Sequence, residues 1–170
     1  KNMPSKCIGG GTQKMIRESI LREINRRFPT GAFRVGGEGN TIAVFPSKCP
    51  DVGDVTILDY GDEAIVLIED FTHGHFNPYD ESLSEQERDK QITEEVCDFL
   101  EDLFADKVLL WRSASGRSGG WRNVPGCVEP EWVTNAGEYY LWSGHYKTVE
   151  NSQPKNEPYS RIRAFWKRLF

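Results

Sequence analysis

Between Ser84 and Phe104, apolar side chains recur at the spacing of an α-helix: Ile92, Val96, Phe99, Leu100, Leu103 and Phe104 form one stripe. Ser84 and Glu87 stand three residues apart, the pattern of a capping box, in which each satisfies an orphan N–H of the first turn. A helix with a single apolar face needs a second layer to cover it. The runs that can provide one precede it, and Ile57, Val66 and Ile68 are the expected partners.

A first helix is expected over residues 12 to 28, where Ile16, Ile20, Ile24 and Phe28 recur every four residues and Met15 and Leu21 widen the stripe. Pro29 and Gly31 end it. Residues 32 to 35 and 41 to 45 flank a glycine-rich turn and read as a hairpin. Strands are expected at 54 to 59 and 64 to 71, joined by the turn Tyr60–Glu63, and the second reads as central and covered on both faces. Val108–Trp111 is a short buried strand, and Tyr139–Trp142 with Trp132 and Val133 read as edge strands. Arg112–Arg122 is too rich in glycine and serine for regular structure. The order α-β-β-β-β-α-β with a C-terminal β/α extension predicts an α+β fold with a mostly antiparallel central sheet and two packed helices.

The chain has 170 residues, 38% of them hydrophobic, which suits one domain over 1–149. Residues 150–158 read as a polar linker, and 159–170 as a basic amphipathic helix (Ile162, Phe165, Trp166, Leu169) docked on the same domain. No apolar run is long enough to span a bilayer and none resembles a signal peptide, so a cytoplasmic, bacterial protein is the expectation. Cys7, Cys49, Cys97 and Cys127 include no C-x-x-C pair; Cys97 falls on the apolar stripe, as a buried free thiol would. Gly9–Gly11 lack the lysine and hydroxyl residue of a phosphate loop.

Net charge is −5, but residues 78 to 106 carry eleven acids against Arg88 and Lys90, a balance of −9, so the remainder carries +4. That polarity makes the acidic helix 84–104 a candidate surface for a protein partner, and leaves a basic face open to nucleic acid as a lesser expectation.

Three groups of residues could carry chemistry. Glu69 and Asp70 are followed by His73 and His75; carboxylate and imidazole suit a divalent zinc, manganese, iron or nickel ion, with Glu69, His73 and His75 as ligands. Arg112, Arg117, Trp121 and Arg122 combine guanidinium forks with an aromatic face and form a candidate binding loop for phosphate, carboxylate or a base. The third group comes from a resemblance.

Helix, three strands, helix, strand, over about residues 12 to 112, resembles in element order the core of the PD-(D/E)xK nuclease superfamily. The resemblance implies metal-bound carboxylates: Asp51 or Asp54 as the first acid, Glu69 as the second, and Glu18 or Glu23 as a helix acid. The pattern departs where a lysine should stand two residues beyond the second acid, because position 71 is Phe71. His73 would then assist Asp54 and Glu69. The expected function is a binding or interaction module, immunity- or regulator-like. The alternative is a metal-dependent phosphodiesterase.

Overall fold

The structure, a computed structural model, describes residues 12–37, 39–69, 71–113, 115, 119–123 and 136–145. Helix α1 (Thr12–Arg27) precedes strands β1 (Arg34–Val35), β2 (Thr41–Phe45), β3 (Val55–Asp59), β4 (Ala64–Ile68) and β5 (Thr72–Phe76). Helix α2 (Glu85–Phe104) follows, then β6 (Val108–Ser113), β7 (Gly119–Asn123), β8 (Ala136–Leu141) and β9 (Gly144–His145). The fold is α+β: a five-stranded antiparallel sheet in the order β1-β2-β3-β4-β5, two helices, and a second sheet in the order β7-β6-β8-β9.

Helix α2 has the expected boundaries. Ser84 and Glu87 complete the capping box. The far end closes with Lys107 N–H on the Asp102 carbonyl (2.9 Å) and Asp106 N–H on that of Leu103, with Asp106 in the left-handed region at φ 57°. An aspartate stands where glycine is usual, and its carboxylate accepts the Ser143 N–H at 2.9 Å. Ile92, Val96, Leu100 and Leu103 are fully buried, in one core with Ile16, Ile20 and Ile24 of α1 and Ile57, Val66 and Ile68 of the sheet. The Cys97 thiol is pushed up to about 12 by that burial, so it is an inert apolar group. Phe28, Phe45 and Phe104 touch one another, Phe33 touches Phe45 and Trp142 touches Phe104, at 4.9–5.6 Å between centroids. The two helices run side by side in the same direction, because Arg27 at the end of α1 meets Asp98 and Glu101 well along α2.

Three strand expectations are corrected. The run 64–71 is not one strand covered on both faces. It ends at Ile68, Phe71 N–H turns back to the Ile68 carbonyl (2.8 Å), and β5 returns antiparallel beside β4. In β4 Ala64, Val66 and Ile68 are buried while Ile65 and Leu67 stay half-buried, as in a meander packed on one face. Arg112 and Trp121–Arg122 belong to a hairpin, not to irregular chain: β6 and β7 pair from Val108↔Asn123 to Arg112↔Gly119. Strand β8 lies between β6 and β9, so Tyr139–Leu141 are not at an edge. Trp132, Val133, Gly9–Gly11, Cys7, Cys127, the linker 150–158 and the segment 159–170 lie outside the described residues.

The two sheets meet along β5 and β7. A Cβ added at Gly119 would fall against the Phe71 carbonyl oxygen, and Gly74 lies under the Trp121 ring. Trp121 packs at a tilt against Phe99 (4.7 Å), which touches Phe76 (5.6 Å), tying α2 to both sheets. None of the described helices is long and apolar enough to cross a membrane.

Candidate functional site

Two of the acids singled out in the sequence come together at the start of β3. Hairpin register places Ile68 opposite Val55, so Glu69 falls beside Asp54. Glu69 N–H donates to the Asp54 carbonyl at 3.1 Å, and the Glu69 carboxylate accepts the Asp54 N–H at 2.7 Å. The Asp54 carboxylate faces away, accepting from Ser47 N–H (3.0 Å) and pairing with Arg34 (3.2 Å). Gly53 makes the arrangement possible: it sits at φ 75°, and any Cβ there would collide with the Glu69 side chain.

Arg112 reaches the same loop from the second sheet. Its guanidinium donates to the Asp51 carbonyl at 3.1 Å and lies over the Phe71 ring at 4.4 Å from the centroid, with Tyr140 beyond at 5.9 Å. Phe71 and Tyr140 stack edge to face at 5.2 Å, and Tyr140 O–H donates to Glu138 at 3.2 Å. Position 71, where the nuclease pattern wants a lysine, thus carries a buried ring with a borrowed cation above it. Of the helix acids, Glu23 is committed elsewhere: Arg26 and Arg27 hold its carboxyl down at about 2.

The other candidates do not join them. His73 and His75 point from the exposed face of β5, rings 5.1 Å apart, and His75 Nδ1 lies 2.9 Å from Glu63. His75 is registered with Ile65, four residues from Glu69, or roughly 13 Å along the strand. Glu69, His73 and His75 therefore do not fit a shared ion, and no three acid, thiol or imidazole groups among the described residues do. Strand alternation also divides the binding set: Arg112 and Trp121 face the first sheet, while Arg122, registered with Leu109, faces the opposite side. Arg117 and Asp70 lie outside the described residues.

A buried acidic pair escaped the sequence reading. Asp59 is 2% exposed and Asp89 4%. Burial pushes both carboxyls above their ordinary range; the Gly61 N–H and Arg17 partly offset this for Asp59, while Glu85 and Asp59 add to it for Asp89 against Arg88. Asp89 Oδ2 has no hydrogen-bond partner among the described residues. The signal was present in both periodicities: Asp59 continues the inward series Val55, Ile57, and Asp89 continues the helical stripe one turn before Ile92. Each pattern puts a carboxyl in a core position, and Asp59 acts on Asp89 through space.

A raised carboxyl favours folding below the ordinary aspartate range, and that contribution is lost as pH rises through the higher folded-state value. Asp89→Asn is therefore expected to stabilise the protein at pH 7, with the gain shrinking toward pH 4. Thermal melts of both proteins across that range check it; a gain that grows on acidification would refute the account.

Comparison of the chain with protein-family models, with curated proteins and with solved structures returns no match.

Proposed function

We propose that the chain is a binding module, regulator- or immunity-like, that contacts a protein partner through its acidic side. The observation that carries this reading is the outer face of α2. Its stripe is spent on the core, its ends are capped, and it presents Glu94, Asp98 and Glu101 with side chains 55%, 68% and 51% exposed. A capped, rigid helix whose surface carries more acids than bases steers an oppositely charged partner; Lys90 stands 3.8 Å from Glu94, and Arg27 pairs with Asp98 and Glu101, so the partner's cations would compete with these.

Metal-dependent phosphodiester hydrolysis is the second reading, with Asp54 and Glu69 as the acids and His73 assisting. In its favour are two acidic residues on neighbouring strand ends, with the Glu69 carboxylate on the Asp54 N–H, and the Arg112 guanidinium over position 71. Against it, both carboxylates are engaged in closing the 47–54 loop, and His73 faces away on the open side of the sheet.

Incubating the protein with single- and double-stranded DNA and RNA, with magnesium or manganese, separates the two. No cleavage is expected. Reproducible metal-dependent cleavage that Glu69→Gln abolishes would overturn the binding reading.

A further inference from the structure

The large apolar side chains most exposed among the described residues are Val35 (58%), Tyr60 (53%) and Tyr79 (89%), and chain topology brings all three to one end of the first sheet. Val35 ends β1 just before the turn into β2. Asp59 N–H bonds the Asn40 carbonyl at 2.8 Å, placing the β3–β4 turn with Tyr60 beside that first turn. Ala64 pairs with Phe76, so the segment leaving β5 with Tyr79 starts from the same end. Exposed apolar side chains scattered singly need no explanation, but Tyr60 and Tyr79 leave the same end of the sheet from the β3–β4 turn and from β5, with Val35 at the opposite border.

That end also carries acids, beside Arg17, whose guanidinium donates to the Gly36 carbonyl at 2.9 Å, and Arg34 of β1. Asp62 in the β3–β4 turn, Asp80 beside Tyr79 and Glu85 in the first turn of α2 are all exposed. The tyrosine-bearing segment is held: Pro78 is buried beneath it, and Asp80 accepts both the N–H (2.9 Å) and the hydroxyl (2.6 Å) of Ser82. Those bonds keep the Asp80 carboxyl below its ordinary range and therefore ionised.

Phenol faces attract lysine and arginine, and fixed carboxylates do the same. Tyrosines on an ordered loop lose little freedom on contact, which suits them as anchors. We propose, resting on the binding-module reading but at a surface separate from the α2 face, that this end of the sheet is a docking surface for a cationic protein segment. Tyr60 and Tyr79 are its anchors, and Asp62, Asp80 and Glu85 its charged rim.

The test uses a short synthetic peptide rich in lysine and arginine, with a glutamate-substituted peptide of equal length as its counterpart. Both are titrated against the full chain by amide NMR and fluorescence anisotropy. The cationic peptide is expected to shift amides around Tyr60 and Tyr79, while the glutamate peptide leaves them in place. Tyr79→Ala should weaken binding about tenfold, the penalty of losing a central anchor. Asp62→Lys should flatten the salt dependence, and Glu94→Lys on the middle of α2 should change affinity less than about twofold. All three positions are exposed, and circular dichroism verifies folding.

Loss of binding in Glu94→Lys with Tyr79→Ala unaffected would overturn this surface and leave the binding reading standing on α2. Equal binding of the two peptides, absence of any binding, or self-association of the chain through Tyr79 would each overturn the cationic partner. Metal-dependent cleavage, by contrast, strikes at the reading beneath.

Discussion

Leu100→Ala should lower the unfolding free energy by about 2–5 kcal/mol, the range for emptying a buried leucine site. Leu100 has no exposed surface and lies where both helices and the first sheet share one core. Neighbouring core rings such as Phe99 and Phe104 are held by ring contacts of their own, which limits how far the walls can collapse into the vacated volume. Urea denaturation of the two proteins, read by far-ultraviolet dichroism, measures the difference. A loss under about 0.5 kcal/mol is what an exposed position gives, and would mean that the stripe of α2 faces elsewhere.

Gly119→Ala is the second large effect, on the order of 3 kcal/mol, and its cause is steric. The new methyl would press on the Phe71 carbonyl oxygen and approach the Trp111 carbonyl, and backbone atoms cannot swing aside as a side-chain tip does. The junction of β5 with β7 would have to open, taking Trp121 off Phe99. Tryptophan emission should therefore shift to longer wavelength in the folded variant. Unchanged emission together with unchanged stability would show that the two sheets do not meet this closely.

What could be read ahead of the structure was whatever depended on neighbours in sequence. Helix α2 declared itself through twenty residues of regular spacing and a cap at its start, and Ile16, Ile20 and Ile24 did the same for α1. Strand β5 did not. Thr72, Gly74 and Phe76 face inward, and His73 and His75 outward, a correct alternation written in residues with little strand preference. Gly119 and Gly120 suggested a loose loop because glycine has two uses. Here it permits close approach, of Phe71 at one position and of the Trp111 ring at the next, and only the folded chain reveals which use applies.

The candidate site divides along the same line. Glu69 beside Asp54 follows from one hairpin register and was within reach of the sequence. Arg112 at Asp51 spans 61 positions, and Asp59 near Asp89 needs a strand and a helix to be brought together. The placing of Tyr60 and Tyr79 at one end likewise requires knowing where two connections leave the sheet.

The meeting of β5 with β7 has a further effect. An open sheet border offers unpaired N–H and carbonyl groups that a second chain can extend, the first step toward fibrillar assembly. Each sheet here has one five-residue border, β5 and β7, and these two are turned against each other. Among the described residues the opposite borders, β1 and β9, are two residues each, too short a template for strand addition. Two sheets that shield each other's long margins let the molecule carry exposed tyrosines at one end without inviting its own copies to polymerise.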